Sequence, residues 1–423
     1  MKRKTIFYNA ALIIAALAIV VTACKKDNDD NDGPTSFTLK TLSAGSIDMN
    51  GATPPTDVPA DPTIEATFSS NVNASTATNE NITMTRDYDD ADIALNITVA
   101  GNKITIEPVG GLGNGALFLL SFKSGLKSTD GTSLSSADRS FTTEGTFVPA
   151  GQVAHWGFED TPNDDIGTYN PAADGVVDLT YAESHSATAG KAAVFNGSTT
   201  IVEIPNGDQL MATNDFTLSF WAKAEDIQRG HFIIGLAAFY GFQFELFSGM
   251  NGFKFPVTYN IPDSDPATGG DFSYNGDGLT LDNGGWRGCT FNQPEEDMTS
   301  LLSNTWFHVT FVFNSETRER RFYLNGDLVK IEDFDLWFDD DGDPYPETGI
   351  DGLKYNGVEP SVYPILTFGF IHARIGTLWD TEPWGNYDSP DSNHFKGMLD
   401  DVRIFHKTLT DQEISLMYDS EAK

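Results

Sequence analysis

Trp306-Phe307-His308-Val309-Thr310-Phe311-Val312-Phe313, followed by Arg321-Phe322-Tyr323-Leu324-Asn325-Gly326, decides the fold. Aromatic and branched side chains alternate along both runs, the period of a strand with one face in a core. Leu324-Asn325-Gly326-Asp327 between polar flanks reads as a tight hairpin turn, because Asn and Gly accept the positive φ that such turns need. Rings in this alternation fill the space of about 10 Å between two packed sheets. The stretch therefore predicts a β-sandwich.

Working outward, strand signals recur at Val153 to Phe158, Ala192 to Phe195, Phe216 to Ala222 and Val402 to Phe405. Only Thr410 to Tyr418 reads as a helix. Thr410 and Glu413 have capping-box spacing, and Ile414 and Met417 share a face. The domain runs over residues 151–420, long for one sandwich, and the excess lies in Gly/Asp/Asn-rich insertions.

Four segments carry a resemblance. They are His155-Trp156-Gly157-Phe158-Glu159-Asp160; Lys191 to Gly197 with Ile201 to Pro205 and Phe216 to Lys223; the opening stretch; and Phe395 to Phe405 with Leu409. In this order they resemble the concanavalin A-like, laminin-G-type jelly roll. In the last strand, simple alternation places Asp400 on the face of Val402 and Ile404, pointing inward. The resemblance then implies a structural Ca²⁺ bridging the first and last strands, held by Glu159 and Asp400 with Asp160 or Asp165 assisting, since carboxylates suit that hard cation. The alternative is that Asp400 caps local backbone N–H groups. A second ion could sit in Asp339-Asp340-Asp341-Gly342-Asp343, wrapped by Asp339, Asp341 and Asp343. The EF-hand spacing is absent there, and a solvated acidic loop is the other reading.

Residues 37–145 read as a separate all-β unit. Thr63 to Phe68, Ala94 to Val99, Lys103 to Glu107 and Ala116 to Phe122 are short strands, and Gly101-Asn102 makes a hairpin. The order from Pro54-Pro55 through Ile104 to Pro108 and Leu126 to Gly131, ending in Ser140-Phe141-Thr142-Thr143, resembles the bacterial Ig-like domain of surface proteins. That implies a spacer. Asp61, Asp87, Asp89, Asp90 and Asp92 read as a solvated face.

Residues 1–23 read as a signal peptide: Met1-Lys2-Arg3-Lys4, then an apolar run from Ala10 to Val21. Val21-Thr22-Ala23-Cys24 resembles a bacterial lipobox, which implies cleavage before Cys24 and its acylation. Residues 24–36 form an acidic tether. The expected location is the outer membrane, at the cell surface. The 423 residues carry 61 acidic and 26 basic side chains, a net charge of −35, and loss of Lys2, Arg3 and Lys4 takes it to −38. Such charge excludes non-specific nucleic-acid binding, which needs Lys and Arg at the phosphates. With Cys24 acylated, Cys289 is left alone and reads as a buried small hydrophobe.

Enzyme signatures are weak. The paired-carboxylate strand of a retaining glycosidase, Glu-x-Asp-x-x-Glu, is absent, and so are His-Glu-x-x-His and Gly-x-Ser-x-Gly. Trp286, Trp337, Trp379, Trp384 and Tyr387 instead lie in Gly/Asp/Pro-rich loops, where exposed rings can stack on sugars. They could equally pin the insertions down as satellite cores. Three functions are compatible with this pattern: a non-catalytic surface lipoprotein whose jelly roll binds a polysaccharide or glycan, an adhesion or matrix-scaffold protein binding another surface protein, and a glycan-active hydrolase.

Overall fold

The protein is described here by a computed structural model covering residues 36–263, 265–268, 273–274, 290–291, 298–336, 341–343 and 349–423. The first domain is a sandwich of two antiparallel sheets. One runs Ile47–Asp48, Leu39–Ala44, Ile64–Phe68, Lys103–Pro108, Leu95–Ala100. The other runs Ala91–Ile93, Ile82–Arg86, Leu117–Phe122, Ala137–Thr142. Ala100 pairs with Lys103 across the expected Gly101-Asn102 turn, where Gly101 has φ 66°. Asp61, Asp87, Asp89, Asp90 and Asp92 are all exposed. Two of them have partners all the same: Asp89 pairs with Arg86, and Asp87 accepts from Gln412 at 3.4 Å.

The second domain is also a sandwich. Its larger sheet centres on Lys396–Phe405 between Phe216–Ala224 on one side and two shorter strands on the other. Gln152–Trp156 pairs with residues 402–405 of the central strand, and Lys191–Asn196 with residues 396–399. Beyond Phe216–Ala224 come Trp306–Asn314, Glu319–Leu324 and Asp327–Asp333. The opposing sheet contains Val176–Val177, Ile201–Ile204, Leu366–Phe368, His231–Leu236, Phe242–Leu246 and Phe253–Lys254. Between the sheets lies one aromatic core in which Phe220 meets Phe244 edge-on at 5.0 Å and Trp156 meets Phe368 at 5.1 Å. The alternation of the opening stretch is realised: Phe307, Val309, Phe311 and Phe313 all lie in this core.

The outer face of the large sheet is buried as well, because the C-terminal helix Asp411–Glu421 lies over it. The helix starts as expected, with Thr410 and Glu413 forming a reciprocal capping box. Ile414 and Met417 are fully buried, together with Phe405, Leu409 and Tyr323, in a cluster continuous with the first domain's core. Phe147, just past the first domain, donates its backbone N–H to Ser420 Oγ at 2.9 Å. The helix thus joins the two domains, sharing an apolar cluster with both and reaching Asp87 through Gln412 and Phe147 through Ser420. Met417→Ala is expected to cost about 2–5 kcal/mol and to loosen the first domain, measured by urea denaturation and by protease cleavage near residues 143–151.

Candidate functional site

The central strand departs from alternation at Asp400-Asp401. Phase slips between Ser219 and Trp221 on its neighbour, and Asp401 takes φ 47°. This is a β-bulge, one extra residue on one strand, at the point where Gln152–Trp156 and Lys191–Asn196 leave the strand without a partner on that side. The consequence corrects the sequence reading. Leu399, Val402 and Ile404 face the core, while Asp400 lies with Asp401 and Arg403 on the outer face under the C-terminal helix.

That outer face holds a dense polar network. Arg403 donates to Asp401 at 2.7 Å and to Glu421 at 2.6 Å. The second Glu421 oxygen accepts Trp221 Nε1–H at 2.6 Å. His155 places one ring nitrogen 2.8 Å from Asp401 and the other 3.0 Å from Asp165. Asp400 accepts from Ser184 and from the Asp401 N–H. His185 stacks on Trp221 with ring centroids 4.0 Å apart. Burial pushes the Asp400 carboxyl up to about 6. For Asp401 burial acts upward too, but the Arg403 charge and the His155 hydrogen bond outweigh it and hold the carboxyl low. His308, beside Trp221, is kept neutral by its complete burial.

The residues assigned to calcium are not gathered. Phe158 and Asp160 both have positive φ, 52° and 55°, in a tight turn that leaves Glu159 and Asp160 exposed. Both Glu159 oxygens accept the Lys191 N–H, at 3.1 and 3.2 Å. Asp165 serves His155, and the buried neighbour Asp164 accepts the backbone N–H of His155 on the strand and of Ile166, Thr168 and Tyr169 in its own loop. Among the described residues no group of three His, Cys, Asp or Glu side chains is placed to hold a metal. The donor set of Glu159, Asp160, Asp165 and Asp400 does not fit one shared ion. Asp341 and Asp343 are exposed; Asp339, Trp286, Trp337, Cys24 and Cys289 lie outside the described residues.

The loop tryptophans are more informative. Residues 369–394 fold across the outer face of the second sheet. Ile201, Phe232, Ala238, Phe370 and Ile371 make a small buried cluster there, with Leu378, Trp379, Tyr387 and Phe239 packed around it. Two glycines permit the close approach. A Cβ on Gly235 would come within 2.2 Å of Ile371, and one on Gly385 within 2.7 Å of Trp379 Cβ. Arg374 pins the insertion to the sheet, donating to Glu203 from its guanidinium at 2.6 and 3.1 Å and from its backbone N–H at 2.7 Å. Tyr387 packs on Phe370 and His394, and its hydroxyl donates to the Thr199 carbonyl. Tyr387 and Trp379 therefore serve as a satellite core. Trp384 does not: it is 39% exposed, propped on Trp379 at 4.8 Å with the rings inclined at 51°. The Glu203–Arg374 pair was missed by sequence reasoning, since the two residues lie 171 positions apart.

Residues 47–143 match the family model of the bacterial Ig-like domain, and residues 196–345 match that of the concanavalin A-like lectin/glucanases superfamily. The chain joins a bacterial Ig-like domain to a concanavalin A-like domain. The Trp384 insertion lies outside both matched segments. No curated protein matches the chain. Among solved structures, the binding domain of Paraclostridial Mosquitocidal Protein 1 is 16% identical over 64% of this chain and 52% of its own, with TM-score 0.39. A botulinum neurotoxin type C structure, whose cell entry depends on two ganglioside molecules, is 17% identical over 64% and 51%, also at 0.39. The serotype D ligand-binding domain in complex with N-acetylneuraminic acid is 14% identical over 64% and 50%, at 0.38. The chain spans about half the length of these structures. Overlap at this level says nothing about ligands.

Two outcomes are expected. The folded concanavalin A-like domain holds the Asp400 proton more tightly than the unfolded chain does. This group's contribution to stability therefore falls as pH rises from the ordinary aspartate value to about 6. The stability of Asp400→Asn relative to the parent, from urea melts at several pH values, should climb across that window; a flat difference would contradict it. Separately, Trp379→Ala should destabilise by about 2–4 kcal/mol and Trp384→Ala by less than about 1, because only the former leaves a cavity.

Proposed function

We propose that this is a non-catalytic, exported glycan-binding protein, with the concanavalin A-like domain as the binding unit and the Ig-like domain as its spacer. The observation that carries the reading is Trp384. This indole stays 39% exposed while Trp379 and a clamped insertion hold it in place. Such a ring offers an apolar face to the C–H side of a sugar, and its orientation is already fixed before binding. The concanavalin A-like lectin fold supports the same class of ligand. The hydrogen bonds that Asn386 makes to Glu382 and Asp380 close the turn around Trp384, so polar groups sit beside the ring.

The location belongs to the same proposal. The cationic start, the apolar run and Cys24 support lipid attachment, and the acidic tether supports display beyond the membrane. Among the described residues no helix is long and apolar enough to cross a membrane.

Glycan-array binding of the purified protein tests the function. Trp384→Ala should lower affinity for the bound glycan by about tenfold or more, roughly 1.4 kcal/mol, while the melting temperature stays within about 2 °C of the parent. Absence of any glycan ligand would favour the protein-binding adhesin reading instead. For the anchor, Cys24→Ser should move the protein from the membrane pellet to the soluble fraction and abolish incorporation of labelled palmitate.

A further inference from the structure

We infer that the Trp384 face takes neutral sugars and excludes polyanionic ones. The inference rests on the glycan reading above and names its ligand class. Recognition of a sulfate or carboxylate calls for charge-assisted donors, most often a guanidinium fork. Two guanidinium groups contact this insertion among the described residues, and both are engaged within the fold. The Arg374 guanidinium donates to one Glu203 oxygen from Nε and Nη2, and Nη2 also donates to the Asp174 carbonyl at 2.6 Å. Arg229 donates to the carbonyls of Pro390 at 2.8 Å, Ser392 at 2.7 Å and Gly197 at 3.3 Å. They brace the insertion and present no fork to an anion.

The exposed charges point the other way. Asp380, Glu382, Asp388 and Asp391 all lie exposed on the insertion that carries Trp384. Glu382 is tied into the Trp384 turn, where its carbonyl accepts from Gly385 and Asn386. The Trp384 carbonyl in turn accepts from Asn393, two residues after Asp391. An anionic ligand stacked on the indole would sit on an insertion whose exposed charges are these four carboxylates. The chain's net charge of −35 adds a repulsive field at longer range. Sugar hydroxyls meet no such cost: they donate to carboxylates and carbonyls while the ring stacks on their C–H face.

The test uses the detergent-solubilised full chain in affinity electrophoresis. The neutral probes are mannan, galactan and β-glucan, and the anionic probes are heparin, polygalacturonate and polysialic acid. Runs at 50 and 300 mM salt with EDTA present keep ion-bridged binding out. The expected result is retardation by at least one neutral polysaccharide, lost in Trp384→Ala and changed less than about twofold by salt, with no retardation by the polyanions. Retardation by a polyanion that Trp384→Ala abolishes overturns the inference and leaves the glycan reading standing. Retardation by none of the six overturns both.

Discussion

The buried guanidinium of Arg403 is the interaction on which the rest of the structure depends. It lies between Asp401, on its own strand, and Glu421, at the end of the C-terminal helix. A buried cation left without its partners costs several kcal/mol, so the arrangement favours one docking of the helix over all others. Glu421 also fixes Trp221, and Trp221 stacks between His185 and Tyr418. The same helix face carries Ile414 and Met417, buried with Phe405, Leu409 and Tyr323 in the cluster that continues into the Ig-like core, while Gln412 and Ser420 reach Asp87 and Phe147. The connection between domains thus combines a buried charge pair that seats the helix with an apolar cluster shared by both domains. A flexible linker would have left that face wet.

The same sandwich uses its two outer faces differently. One is sealed by the helix and filled with paired charges. The other is covered by an insertion that needs a pinned charge pair, Glu203–Arg374, and two glycines where backbones nearly touch. This second cover buries most of its aromatic rings and leaves Trp384 out. A ring held in one orientation would lose little entropy on stacking against a ligand.

Much of the fold was legible in the residues. The capping box at Thr410 and Glu413, the Gly101-Asn102 hairpin and the aromatic alternation from Trp306 to Phe313 are local signals, and each formed as read. The site was legible only in part. Alternation put Asp400 in the core, and one bulged residue moved it to the opposite face, because the period of a strand is two and any insertion inverts the facing of the residues beyond it. Among the described residues, the carboxylates inferred from that phase as calcium ligands form no group placed to hold a metal. Trp379, Trp384 and Tyr387 stood out as a group, but nothing local told which ring would be buried.

By itself, then, the sequence determined the two sandwiches, their order, the terminal helix and a strongly acidic composition. These depend on periodicity, turn chemistry and composition, which act over a few residues. The tertiary structure alone decided which carboxylates are paired, which face the helix seals and which tryptophan stays exposed. Those outcomes depend on partners such as Glu203 and Arg374, or Arg403 and Glu421, brought together by sheet order and by one slip in register.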